Sequence, residues 1–187
     1  MTATQIIRTF CLTTTTLLLS LAAHAEPTAT NILPERIVFV GGLAHNKGPI
    51  ASETEDGPDL NIAYHHLFKR FDNSGLYAHG GAVINLADGT SYAYIGGTGR
   101  LAFGASPIYG EIGGGFAVHD GDLEKKSENK RELGSRTLFR FEISLGYQIS
   151  DAVSASLFMD HISNGSILNN DDNRGLDTYG LRLGYGF

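Results

Sequence analysis

The sequence predicts an all-β fold, an eight-stranded antiparallel up-and-down transmembrane β-barrel. Three observations predict it. Residues 136–149 show the clearest alternation: Thr137, Phe139, Phe141, Ile143, Leu145, Tyr147 and Ile149 share one face, and Arg136, Arg140, Glu142, Ser144, Gly146 and Gln148 the other. A soluble sandwich turns such an apolar face inward. A barrel in lipid turns it outward and fills its lumen with the polar face. Seven further stretches alternate, separated by turn signals, and the chain is rich in aromatics and in glycine (24 of 187 residues).

The strands follow in order. The first is expected near Arg36–Ala44, where Ile37, Phe39 and Leu43 alternate with smaller residues, and His45 to Gly57 is a loop containing Pro49. The second runs near Leu60–Phe68, with Leu60, Ile62, Tyr64 and Phe68 on one face; Lys69 to Ser74 turns the chain. The third covers about Leu76–Leu86 and ends at the hairpin signal Asp88-Gly89. The fourth, Ser91–Gly104, is Gly-rich and weakly registered, and Ser106-Pro107 follows it. The fifth is Ile108–Val118, with Ile112, Phe116 and Val118 opposite Tyr109 and Glu111. His119 to Ser135 reads as a long, solvated charged loop. After the sixth strand, Arg136–Ile149, Ser150-Asp151 turns into the seventh, Ala152–Ser163. Asn164 to Leu176 is a polar loop, and Asp177–Phe187 is the eighth strand.

Eight strands make the smallest common barrel, with an interior filled by side chains. Arg140, Glu142, Arg182, Glu111 and Arg100 are expected to meet there as a mutually paired network, because an unpaired buried charge is costly. Connections after the second, fourth and sixth strands are short, and those after the first, fifth and seventh are longer. That pattern places both termini in the periplasm and the long loops outside.

Residues 1–25 read as a secretory signal peptide: Arg8, an apolar core over 10–22, and the A-x-A site Ala23-His24-Ala25. The barrel domain then spans 26–187. The one cysteine, Cys11, falls inside the leader, which leaves no thiol for a disulfide or metal site. Residues 1–25 carry one Arg and no acid, so the formal charge of −6 becomes −7 without them. That charge argues against a nucleic-acid partner. His45, His65, His66, His79 and His119 show no metal-ligand spacing, and neither a cofactor nor a metal is called for. The final Tyr185-Gly186-Phe187 matches the terminal aromatic of outer-membrane barrels.

The chemistry lies where the last hairpin leaves the apolar stripe. Val153, Ala155, Leu157 and Met159 share a face that continues into His161 and Ser163, whereas Asp160 and Ile162 face the lumen. Asp177 heads the stripe of Tyr179, Leu181, Leu183 and Tyr185 on the last strand. A Ser, a His to take its proton and a carboxylate to orient the His are the parts of a nucleophilic hydrolase. Their place at the end of an apolar face points to a lipid substrate.

These residues resemble a known family. His161-Ile162-Ser163-Asn164 matches the H-x-S-N of the lipid A 3-O-deacylases (PagL), and Gly175-Leu176-Asp177-Thr178 is similar to that family's G-I-E-T-like run. The resemblance implies an outer-membrane serine esterase that removes the 3-hydroxyacyl chain ester-linked at position 3 of lipid A, with its site toward the outer leaflet. Ser163 is then the nucleophile, His161 the general base and acid, and Asp177 stands at the family's Glu, with Asp171 and Asp172 as rivals. Backbone N–H groups at Asn164 and Gly165 are the candidate oxyanion donors. The implied partners are lipid A in lipopolysaccharide and outer-membrane lipids, and a homodimer is left open. The rival classes are a non-catalytic small barrel serving adhesion or anchoring, a soluble periplasmic β-protein, and a lipid-modifying acyltransferase.

Overall fold

Alternation of apolar and polar residues decides which side of each strand meets lipid. In the computed structural model, which describes residues 31–47, 49–50, 55–124, 132–165 and 175–187, it produces eight strands. They are β1 (Arg36–His45), β2 (Pro58–Arg70), β3 (Ser74–Asn85), β4 (Tyr92–Ala102), β5 (Ile108–His119), β6 (Thr137–Gln148), β7 (Val153–Ser163) and β8 (Leu176–Gly186). Each pairs antiparallel with its neighbours in sequence, and β8 closes on β1 to give a barrel. Lengths of 10 to 13 residues suit tilted strands across a bilayer. The signal peptide expected over 1–25 lies outside the described residues.

The outer surface is apolar. Ile143, Leu145, Leu157, Leu181 and Tyr185 are all exposed, whereas Arg140, Glu142, Asp160 and Arg182 are buried inside. That inversion of the soluble pattern fits hydrocarbon outside and a polar interior. Closure leaves no strand edge unpaired, as the absence of water in lipid demands.

The expected lumenal network forms. Glu111 accepts from Arg100 Nε at 2.9 Å and Arg182 Nη2 at 3.1 Å. Arg140 donates through Nε to Asp160 at 2.7 Å and through Nη2 to Glu142 at 2.8 Å. Asp160 also accepts from Tyr92 and Thr178 hydroxyls at 2.6 and 2.7 Å. These three guanidinium groups thus face three carboxylates. Each also lies over an aromatic ring: Arg140 over Tyr94 at 3.7 Å, Arg182 over Phe158 at 3.8 Å and Arg100 over Tyr109 at 4.1 Å.

Three features differ from the sequence expectation. The stretch after β5, expected as a solvated charged loop, buries Glu132 and Leu133 among its described residues. On β1 the large residues Ile37, Phe39 and Leu43 point into the barrel, and Val38 and Val40 meet the outside. The arginines explain this, since the Arg182 guanidinium lies 4.4 Å from the Phe39 ring, so an aromatic wall is needed inside. β2 is longer than expected at both ends and shifts register between Leu67 and Lys69, which the periodicity of Leu60, Ile62 and Tyr64 does not reveal.

The short connections, 71–73, 103–107 and 149–152, lie at one end of the barrel. The loops after β1, β3, β5 and β7 lie at the other, with His45, His119 and Ser163.

Arg140 neutralises two buried acids at once. Arg140→Met should therefore destabilise the folded barrel by about 3–5 kcal/mol in reversible denaturant unfolding. Adding Asp160→Asn should recover part of that loss. Costs that simply add would show that Arg140 and Asp160 are not coupled.

Candidate active site

β7 and β8 run side by side with His161 directly opposite Asp177. Both belong to the lipid-facing set, and the rungs below them are Met159–Tyr179 and Leu157–Leu181. His161 Nδ1 lies 2.6 Å from Asp177 Oδ1. The ring nitrogen facing the carboxylate is thus Nδ1, which leaves Nε2 as the nitrogen able to accept a proton. Asp177 is one methylene shorter than the Glu of the resembling family, and the direct cross-strand pairing brings it within reach. The carboxylate is fully buried although its strand position faces outward. Its second oxygen, Oδ2, accepts a hydrogen bond from the Ile50 backbone N–H at 2.7 Å.

Ser163 is the last residue of β7, two positions beyond His161 on the same face. Two strand rises separate their Cα atoms by roughly 6.6 Å. Across the other edge of β7, Phe141 is opposite His161 and Phe139 opposite Ser163. The two polar side chains therefore stand against an aromatic wall. At Asn164 the strand ends. Asn164 is fully buried, with its side-chain amide 3.4 Å from the Leu133 carbonyl of the loop after β5. Gly165 adopts φ +64°, which lets the chain leave the sheet sharply. Asp171 and Asp172 lie outside the described residues. Asp160 and Ile162 face the lumen, as their parity requires.

Gly175 is a site residue that sequence reasoning treated only as part of a motif. It has φ +55°, and a Cβ there would stand 2.5 Å from His161 Cε1 and 3.1 Å from Nε2. The imidazole thus packs on bare backbone, and the missing side chain keeps Nε2 open.

Below the His161–Asp177 rung, the outer wall carries an apolar groove of about 660 Å3. Ile112, Ile143, Leu145, Leu157, Met159 and Tyr179 line it, and Gly99, Gly110 and Gly180 lower its floor. It begins one rung from His161 and runs along the lipid face of β4 to β8.

A second grouping lies inside the barrel. His65 and His79 are directly paired across β2 and β3, and with Glu142 they bring three potential ligand atoms within 4.8 Å of one another. Spacing along the chain does not expose this set. It does not suit a metal ion, because Arg140 stands with Nη1 3.2 Å from His79 Nε2 and pairs through Nη2 with Glu142. A guanidinium there opposes a second cation.

The comparisons agree with this architecture. The family described as lipid A 3-O-deacylase (PagL) matches residues 54–186. The crystal structure of the outer-membrane enzyme PagL superposes with a TM-score of 0.60 at 18% identity, covering 81% of this chain and 99% of that one. Neisserial surface protein A follows at 0.53 and 13%, over 82% of this chain and 97% of that one. A de novo designed transmembrane β-barrel reaches 0.51 at 9%, over 84% and 100%. No curated protein sequence matches the chain. At these identities the structural likenesses establish the fold alone, while the family match covers well over half of the sequence. The chain therefore belongs to the lipid A 3-O-deacylase (PagL) family.

Proposed function

We propose that this protein is an outer-membrane lipid A 3-O-deacylase, a serine esterase that hydrolyses the ester-linked 3-hydroxyacyl chain at position 3 of lipid A. The observation that carries the reading is the 2.6 Å contact between His161 Nδ1 and the buried Asp177 carboxylate on the lipid face, with Ser163 next along the same face. The family to which the chain belongs supports the substrate class.

In this reading Asp177 holds the imidazole with Nε2 free, and His161 Nε2 takes the Ser163 hydroxyl proton as Oγ attacks the acyl carbonyl carbon. Negative charge gathers on the carbonyl oxygen, and backbone N–H groups at Asn164 and Gly165 are assigned to it. The intermediate collapses with the sugar oxygen as leaving group. His161 returns its proton to that oxygen, and the acyl chain remains on Ser163. A water, deprotonated by His161, then attacks the acyl-serine. Its products are the free 3-hydroxy fatty acid and regenerated Ser163. No cofactor or metal enters.

The apolar groove supports the same reading. Its near end is one rung from His161, so an acyl chain lying along Met159, Leu157 and Ile143 presents its ester at the level of Ser163. The loops after β1, β3, β5 and β7 share that end of the barrel. In the outer membrane, this end is assigned to the outer leaflet, where lipid A resides. The substrate then reacts without being extracted from the bilayer.

Mass spectrometry of lipid A from membranes treated with the purified, refolded protein tests the reading. Wild type should release one ester-linked 3-hydroxyacyl chain, and Ser163→Ala should lower the rate by about 10^4-fold or more. Release at equal rates by both proteins would rule out Ser163 as nucleophile. A folded wild type inactive on lipid A would favour the non-catalytic barrel.

Gly175 gives a second prediction. Gly175→Ala pushes a methyl group into the His161 ring and should lower kcat by about 10^2-fold. Gly104, in the turn at the opposite end, has φ +64° and open space around its Cβ position. Gly104→Ala should cost on the order of 1 kcal/mol of stability, from the same backbone strain without a clash, and leave kcat intact. Equal activity of the two variants would separate Gly175 from the chemistry.

A further inference from the structure

The buried carboxylate of Asp177 is held from both sides. His161 Nδ1 takes Oδ1, and the Ile50 N–H reaches Oδ2 from a residue 127 positions earlier in the chain. The Ile50 residue is 63% exposed, so burial of its own side chain does not fix that N–H in place. Other described residues of the same loop are tied down firmly. His45, at the end of β1, approaches Glu55 Oε2 through Nε2 at 2.8 Å and Asp59 Oδ2 through Nδ1 at 2.9 Å. Two carboxylates on two ring nitrogens call for an imidazolium donating from both. Glu55 also accepts from the Thr90 N–H at 2.7 Å and the Thr90 hydroxyl at 3.0 Å. Asp59 accepts from Asn85 Nδ2 at 2.8 Å. The backbone of the loop's two ends is joined as His45 N–H donates to the Gly57 carbonyl at 3.2 Å. His45, Glu55, Asp59 and Thr90 are all buried, and His45 lies opposite Thr178, the residue after Asp177.

We propose that Ile50, in the loop between β1 and β2, is a positioning residue of the His161–Asp177 pair through its backbone N–H on Asp177 Oδ2, with the His45–Glu55 contact as the latch that holds the far end of that loop against the barrel. Its catalytic consequence rests on the deacylase reading above; the hydrogen bond itself does not. A carboxylate held by one partner can swing about its Cα–Cβ and Cβ–Cγ bonds. A second donor on the other oxygen removes that freedom, and the imidazole it orients inherits the constraint. Losing a donor to a buried charged acceptor costs more than losing a neutral bond.

The test compares Ile50→Pro, which deletes the N–H, with Ile50→Ala, which keeps it, in the full-length refolded protein acting on lipid A. Circular dichroism and melting confirm that each variant is folded. Ile50→Pro should lower kcat by about ten- to a hundredfold, with KM within about twofold, and Ile50→Ala should stay within about twofold of wild type. Glu55→Ala should lower kcat likewise, and the double variant Ile50→Pro/Glu55→Ala should be little worse than either alone, because both act through one bond. If Ile50→Pro does not fold, Glu55→Ala carries the comparison against Ile50→Ala. The second readout needs no turnover: in a Ser163→Ala background, the His161 imidazole resonances should move on deleting the Ile50 N–H and hold with Ile50→Ala. Movement of that resonance in a protein whose wild type does not deacylate lipid A would uphold the positioning bond and overturn the deacylase reading. An active wild type whose kcat and His161 resonance ignore loss of the N–H would overturn the proposal.

Discussion

Neutralisation of charge in the lumen is the constraint on which the rest of this barrel depends. Eight strands enclose a narrow interior, and Arg100, Arg140 and Arg182 enter it together with Glu111, Glu142 and Asp160. Each guanidinium needs its carboxylate at hydrogen-bond distance, so neighbouring strands have little freedom to slide. A slip of one residue on β8 would carry Arg182 into lipid and Leu181 inside. The Asp160–Thr178 contact belongs to the rung beside His161–Asp177, one pointing inward and the other outward. The registry that pairs charges in the lumen is thus the registry that sets His161 against its carboxylate on the lipid face. The inner network and the outer site are two readings of one strand alignment.

That alignment was legible in part from sequence. The alternation of β6 shows which face meets hydrocarbon, and the apolar stripes of β7 and β8 carry directly into His161 and Asp177. β1 was harder, because valines occupy one face and larger apolar residues the other. Which set points inward depends on Arg182 needing the Phe39 ring, a contact between residues far apart in the chain. The His65–His79 stack was invisible for the same reason: antiparallel pairing joins them at a ring separation of 5.2 Å, while their spacing follows no ligand pattern. The Ile50–Asp177 bond is further still from legibility. A backbone N–H has no residue signature, so no motif search can find a donor supplied by the main chain of a loop.

The site is consequently defined as much by backbone as by side chains. Gly175 contributes the absence of a Cβ, Ile50 an amide proton, and the two strands a direct opposition of residues 161 and 177. This bears on the acid itself. Where the resembling family carries Glu, the present chain carries Asp. A longer acid at 177 would set its carboxylate one methylene further from β8, displacing either the imidazole on Oδ1 or the amide on Oδ2. With Gly175 packed against the ring, His161 has little room to retreat. In this chain Asp177 keeps its carboxylate close to the barrel wall, and the Ile50 N–H from the loop between β1 and β2 reaches it there at 2.7 Å.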